Sequence, residues 1–440
     1  MSFIVDRQTL NDLGITSHER KHSVFALYDT THTRGASRLL EEMFSNPLDR
    51  ESAINRRAEI ILQFQKLGMK FPFSPALFDS AEYYMSVTDS RTRLGSDDKS
   101  LVGTVKRMMS NDTQTEQLLI GVQSVVEIFH LVKPFVEQML AGDRLLSLMP
   151  DLDVICQMLD DERFALVFRI SPKSRLSMND AACLDGLFRY DCRADIRKLL
   201  DFIYLADVYI SVAESSLVRG FHTAQILPAE PEILEIKGVW HPLLSNPVAN
   251  NLYVREGHNV IFLTGANMAG KSTLMKTLGI AVYIAHLGFP VPAESMRLSV
   301  REGIFTTINL PDALNMGFSH FYAEVRRLKK VAQTVCRYPH MLVIFDELFR
   351  GTNVKDAYDA TVEVSEAFAK MKKSLFVIST HITEAAEELQ KRCDNIEYLY
   401  LPTEMKGSVP SYPYKIRQGV TEDRHGMVII RNEGILDILA

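Results

Sequence analysis

The stretch Val260-Ile261-Phe262-Leu263-Thr264-Gly265-Ala266-Asn267-Met268-Ala269-Gly270-Lys271-Ser272-Thr273 decides the fold class. Its first part is a compact apolar run of the kind that forms a buried strand, and its second part fits G-x-x-x-x-G-K-[ST]. A strand that runs into a glycine loop and then opens a helix makes a phosphate cradle. The glycines let backbone amides curl around an anion, and the helix N-terminus adds a favourable dipole. Gly265, Ala266, Asn267, Met268, Ala269, Gly270, Lys271, Ser272 and Thr273 are therefore the candidate ATP-binding residues. Lys271 would neutralise the β- and γ-phosphates, and the Ser272 hydroxyl would hold Mg²⁺.

Two more apolar runs follow, Met341-Leu342-Val343-Ile344-Phe345 and Leu375-Phe376-Val377-Ile378-Ser379. Continuous apolar runs separated by helical stretches predict buried strands of a mainly parallel sheet with helices on its faces. The first ends in Asp346-Glu347. Asp346 suits Mg²⁺, through a water or Ser272, and Glu347 suits the general base that orients an attacking water. The second leads to Ser379-Thr380-His381, where His381 is either a γ-phosphate sensor or a satisfied structural histidine.

Upstream the pattern changes. Residues 117–140 place Leu118, Leu119, Val122, Val125, Val126, Phe129, Leu131 and Val132 at helical intervals, and residues 195–218 repeat that character. The text between 72 and 112 is more polar and broken, which predicts loops or short helices. Pro228, Pro231 and Gly238 then punctuate the chain before the strand-like runs begin. The expected class is α plus α/β: a helical domain over 1–230, then a P-loop ATPase domain of ABC type over 231–440.

Bulk properties bound the rest. A chain of 440 residues has room for two or three domains, and 46% hydrophobic with 24% charged residues is ordinary for a soluble globular protein. The five cysteines show no Cys-x-x-Cys spacing, so neither a zinc site nor a disulfide framework is expected, and a cytoplasmic home is the simplest. The N-terminus lacks a signal-peptide profile. The longest apolar stretch, residues 279–292, contains His286 and is too short to span a bilayer, so a buried core helix is expected there and no membrane partner. A net charge of −6 argues against one broad basic face, so any DNA contact must use local patches or enclosure by a dimer. The clusters Arg326-Arg327-Lys329-Lys330 and Lys370-Lys372-Lys373 are expected to be solvated helix faces.

These residues carry a resemblance. Thr264 to Thr273, with its Asn267-Met268, resembles the P-loop of the MutS family, and Asp346-Glu347-Leu348-Phe349-Arg350-Gly351-Thr352 with Asp356 resembles that family's second nucleotide motif. Ser379-Thr380-His381 is similar to its switch histidine. Gly317-Phe318-Ser319-His320-Phe321 with Glu324 is similar to its signature loop, whose serine reaches the ATP of the opposite protomer. Trp240-His241-Pro242-Leu243 resembles the His-Pro element before the ATPase domain. Residues 27–40 with Asn46-Pro47-Leu48 resemble the core, or lever, domain. The resemblance implies ATP and Mg²⁺ as ligands, a homodimer formed through ATPase domains, catalytic roles for Glu347, His381 and Ser319, and DNA as a partner, branched or non-specific.

Departures from the family pattern shape the expectation. The chain begins at the core-like segment, without the recognition domain and its Phe-x-Glu wedge, and the helical region is short, so the clamp is expected to be reduced or absent. Pro247-Val248 stand where an aromatic often stacks on adenine, and Arg424-His425-Gly426 replace a Ser-Tyr-Gly type sequence, leaving His425 as a substitute stacking surface. Two functions stay open: a DNA-engaging ATPase of repair or recombination, and an ATP-driven assembly or ribosome-associated factor. A transporter ATPase is disfavoured by the lack of a Leu-Ser-Gly-Gly signature, and a GTPase by the lack of Asn-Lys-x-Asp.

Overall fold

The structure, a computed structural model, describes residues 3–16, 22–95, 112–141, 149–308, 320–349, 352–406, 409–421 and 438. In chain order the helices are α1 (Arg7–Asp12), α2 (Val24–Tyr28), α3 (Arg34–Ser45), α4 (Glu51–Leu67), α5 (Pro75–Ser86), α6 (Asp112–Ala141) and α7 (Leu152–Leu159). They continue with α8 (Ala165–Arg169), α9 (Met178–Asp185), α10 (Arg193–Arg219), α11 (Lys271–His286), α12 (His320–Arg337), α13 (Val354–Ala369) and α14 (Glu384–Arg392). The strands are β1 (Ile4–Val5), β2 (Gln225–Leu227), β3 (Leu234–Val239), β4 (Asn250–Val254), β5 (Val260–Gly265), β6 (Ser295–Ser299) and β7 (Gly303–Thr307). β8 (Met341–Asp346), β9 (Leu375–Ser379), β10 (Ile396–Leu401), β11 (Glu404–Lys406), β12 (Val409–Ser411) and β13 (Arg417–Gln418) complete them.

These elements form two compact units. One comprises Met1–Tyr28, Met43–Ala58 and Ser216–Ala440, and the other Asp29–Glu42 and Glu59–Ser215. Both are discontinuous in sequence, where the sequence pattern suggests one boundary near 230. The reason in the first unit is that the N-terminal segment joins the parallel sheet, with Ile4 opposite Gly303 and Val5 opposite Ile304.

The first unit is built on a seven-stranded sheet of order β1-β7-β8-β9-β5-β10-β13, in which every pairing is parallel except β10–β13. β5, β8 and β9 are buried at every position, as strands covered on both faces must be. On one face Phe368 of α13 stacks between Phe345 and Phe376 at 5.6 and 4.4 Å, and Ala385 and Leu389 of α14 join the same core. α11 packs against β5, β7 and β8 and is buried from Thr277 to His286, so the core helix expected over residues 279–292 is found as far as His286, with residues 287–292 beyond its end. A four-stranded sheet of order β2-β6-β3-β4 accompanies it. Its strands alternate buried and exposed residues, as sheets with one wet face do.

The parallel register positions the site. Leu263 lies opposite Ser379 and Ser379 opposite Asp346, so three strand ends converge where β5 meets its glycine loop.

The second unit is helical among its described residues. α6 buries Val122, Val125, Val126, Phe129 and Val132, and its Gly121 lies under Tyr84 of α5, where a Cβ would come within 2.2 Å of the tyrosine Cβ. Residues 113–141 of α6 are long and apolar enough to cross a membrane by length and composition, and 56% of that window is buried inside the protein. Tyr84 and Arg189 both donate to the buried Asp185, at 2.9 Å and 2.6 Å, satisfying a carboxylate that would otherwise be costly to bury.

Candidate functional site

The loop between β5 and α11 requires its glycines. Gly265 has φ of +147° and a Cβ there would lie 2.9 Å from the Leu401 carbonyl oxygen; Gly270 has φ of +101° and would press a Cβ to 3.0 Å from the Tyr414 ring. Gly270 caps α11 without any side-chain hydrogen bond, which leaves the first amides of the helix for an anion. Met268 adopts φ of +71° and is exposed at the tip.

Four functional side chains converge here. Lys271 is buried, donates from Nζ to the carbonyls of Gly265 at 2.7 Å and Ala266 at 3.2 Å, and lies 3.7 Å from Glu347 Oε1. Ser272 Oγ donates to Asp346 Oδ2 at 2.5 Å, and Ser379 Oγ donates to Asp346 Oδ1 at 2.6 Å. Glu347 leaves the strand with φ of +54° and donates its backbone N–H to the Ser379 carbonyl at 3.1 Å. That left-handed turn swings the Glu347 carboxylate away from β8 to the space between Lys271 and His381, whose Nδ1 is 3.8 Å from Oε2. His381 is 60% exposed, open to whatever sits above the loop. Ser319 lies outside the described residues, as do Gly317, Phe318, Arg350, Gly351 and His425.

A cavity of about 670 Å³ opens over the loop. Ala266, Asn267, Met268, Gly270, Lys271, Ser272, Thr273 and Glu347 line it, together with His241, Leu244, Pro247, Val248 and Tyr414. Pocket volumes of this order suit small ligands with a polar and an apolar end. Burial, and the charge of Lys276 after it, lowers the His241 pKa and keeps the ring neutral. Leu243 N–H donates to its Nδ1 at 3.3 Å, which puts the ring proton on Nε2.

Sequence reasoning missed Tyr414. It has φ of +56° and is held by Asn250, whose Nδ2 donates to the Tyr414 carbonyl at 2.9 Å and whose Oδ1 accepts the Ile416 N–H at 2.9 Å. The signal available was Asn250 itself, a buried amide next to the Pro247-Val248 position. Of the two basic clusters, the second is exposed, but Arg327 of the first is buried and paired with Asp6. The expectation of a solvated face fails at that residue because a carboxylate from the N-terminal segment covers it.

Residues 261–438 match the family model "MutS domain V", a span that contains the glycine loop, Asp346, Glu347 and His381. Over those residues the chain is similar to the MutS family's domain V. Among similar proteins, "MutS protein homolog 4" of Mus musculus is 30% identical over 239 residues, covering 52% of this chain and 24% of the relative. "DNA mismatch repair protein MutS" of Carboxydothermus hydrogenoformans is 29% identical over 248 residues, 55% of this chain and 29% of the relative. The "DNA mismatch repair protein MutS" of Petrotoga mobilis is 30% identical over 250 residues. The chain thus spans about a quarter of the length of these MutS relatives.

Proposed function

We propose that the chain binds and hydrolyses ATP at the glycine loop, as a MutS-type P-loop ATPase that works as a homodimer and engages DNA in repair or recombination. The observation that carries this is the convergence of Lys271, Ser272, Asp346 and Glu347 on one loop beneath one cavity.

Lys271 would turn from the Gly265 and Ala266 carbonyls to the β- and γ-phosphates, a stronger, charge-assisted set of acceptors. The residues fit Mg²⁺: Ser272 Oγ and Asp346 Oδ2 are adjacent hard oxygens, and this ion is bound by one or two protein oxygens plus substrate phosphates rather than a full protein cage. When bound it would offset phosphate charge. Ser379 holds the Asp346 carboxylate in place from its other oxygen. Glu347, within reach of both Lys271 and His381, would orient the attacking water and accept its proton, with His381 reporting the γ-phosphate. Ser319 would complete the site of the opposite protomer. Tyr414 and the Pro247-Val248 wall would enclose the adenine. The names of the relatives support the DNA role, and contacts made mainly to phosphates would fall steeply with salt.

The test is Glu347→Gln. It should bind ATP normally, turn over about 10²–10⁴-fold more slowly, and accumulate as an ATP-bound dimer. Titrating that dimer with duplex and four-way-junction DNA at two salt concentrations tests the DNA half. Single-turnover hydrolysis at the wild-type rate would remove Glu347 from the chemistry, and no DNA binding would favour an assembly or ribosome-associated role.

A further inference from the structure

Glu347 sits in a turn that its own sequence does not favour. Five non-glycine residues among those described have positive φ; Met268, Glu347 and Tyr414 line the cavity over the glycine loop, and Phe349 stands two residues past Glu347. Glu347 has φ of +54° and Phe349 φ of +65°. Left-handed backbone is uncommon for any residue with a side chain, and a bulky ring makes it an outlier. Such a conformation persists only where its surroundings over-determine it.

Two sets of contacts do so here. On one side β9 holds the turn: the Glu347 N–H donates to the Ser379 carbonyl at 3.1 Å and to the Ser379 hydroxyl at 3.2 Å, while that hydroxyl donates to Asp346. On the other side Phe349 is the anchor. It is 4% exposed, shares the buried core with Phe345, Ile378 and Ala385, and its ring lies 6.1 Å from that of Phe321 on α12. Leu348 packs against the same core from a half-buried position. Burying the ring offsets the cost of its backbone. The chain is thus pinned at both ends of three residues, and the direction of the Glu347 carboxylate follows from the dihedrals between them. That direction places Oε1 3.7 Å from Lys271 Nζ and Oε2 3.8 Å from His381 Nδ1.

We propose that Phe349 is a positioning residue for ATP hydrolysis: its buried ring holds the left-handed turn that aims the Glu347 carboxylate between Lys271 and His381. This rests on the reading of Glu347 as the group that orients the attacking water. Phe349 does not line the cavity, and the groups that would bind phosphate lie on the loop between β5 and α11. Losing the ring should therefore slow hydrolysis and spare ATP affinity. The variants should rank against side-chain size. Alanine keeps a Cβ, which disfavours positive φ, and loses the anchor, so the turn relaxes. Glycine loses the anchor too but adopts φ near +65° freely, so the turn survives in part.

The experiment compares the whole wild-type chain with Phe349→Ala, Phe349→Gly, Glu347→Gln and the Phe349→Ala/Glu347→Gln double variant. ATP Kd, the single-turnover hydrolysis rate and the thermal midpoint are measured for each. Phe349→Ala should hydrolyse ATP roughly ten- to a hundredfold more slowly, the scale of an ångström-size misplacement of a catalytic group, with ATP Kd unchanged. Phe349→Gly should be the faster of the two. The double variant should be no slower than Glu347→Gln, since both changes act through one carboxylate. A wild-type rate in Phe349→Ala beside a slow Glu347→Gln overturns the proposal alone. Phe349→Gly slower than Phe349→Ala overturns it as well, because that order follows lost packing and not the turn. So do losses that multiply in the double variant, or a Kd that rises as the rate falls. A wild-type rate in Glu347→Gln overturns the Glu347 reading and the proposal with it. If Phe349→Ala does not fold, Phe349→Leu replaces it and is judged by its rate, its Kd and its double variant in the same way.

Discussion

Ser272 at the start of α11 donates its hydroxyl proton to Asp346 at the end of β8, across 2.5 Å. Two elements far apart in sequence meet there because β5 and β8 flank β9 in the same parallel register. The pair offers a hydroxyl and a carboxylate oxygen side by side, the chemistry that Mg²⁺ takes when phosphates supply its other ligands. Asp346→Asn keeps the shape and removes the charge. The Mg²⁺ concentration for half-maximal ATP turnover should rise by at least about 10–100-fold, the cost of altering even a carboxylate that only supports a metal ligand. Titrating Mg²⁺ at saturating ATP checks it, and an unchanged midpoint would take Asp346 out of the metal site.

Lys271 makes a second prediction. It is buried, and its ammonium is satisfied by two carbonyls and the neighbouring Glu347. Lys271→Ala removes a charge-assisted contact worth about 1.5–3 kcal/mol, so ATP affinity should fall roughly ten- to a hundredfold. Equilibrium binding of labelled ATP measures it. Unchanged affinity would mean that nucleotide does not sit on this loop.

Much of this site is legible in the sequence because its strands are buried on both faces. β5, β8 and β9 appear as unbroken apolar runs, and their ends meet at the glycine loop. What is hidden depends on long-range partners. β1 is two residues long and has no periodicity to display; it exists because β7 offers an edge nearly three hundred positions away. Asp6 is an ordinary helix cap until Arg327 is placed beside it, and Arg327 looks like one of a solvated basic cluster until Asp6 covers it. The same holds for Tyr414, whose left-handed backbone is held by Asn250 from the other end of the domain.

Tyr414 gives a third prediction. Its ring packs on Gly270 and lines the same cavity as Pro247 and Val248. Stacking of a base on an aromatic side chain is worth about 1–3 kcal/mol by alanine substitution. Tyr414→Ala should therefore raise the ATP Kd by roughly five- to a hundredfold with kcat at saturation preserved, while Tyr414→Phe stays near wild type. Measuring inorganic triphosphate binding in parallel separates base from phosphate contacts. An equal loss for triphosphate would show that the ring acts on the loop and not on the adenine.

The last prediction concerns pH. His286, at the end of α11, is fully buried; its Nδ1–H donates to the Leu48 carbonyl at 2.8 Å and its Nε2 accepts the Arg301 N–H at 3.3 Å. Burial pushes its pKa down to about 4, with the Arg301 charge adding to that and the Leu48 carbonyl and Asp49 opposing it. An ordinary histidine titrates near 6.5. Between these values the unfolded chain binds a proton that the folded protein refuses, so stability falls as pH drops through that window. For this group the loss between pH 7 and pH 5 is on the order of 2 kcal/mol. The Asp6 contribution, from a carboxyl held below its usual range, is lost only at lower pH and does not overlap it. Denaturant unfolding of wild type and His286→Gln at both pH values checks the assignment. The variant should be less stable at pH 7, having lost the ring's packing on Phe3, whose ring centroid is 4.5 Å away, but should lose less on acidification. Equal acid losses in the two proteins would mean that other groups drive the pH dependence.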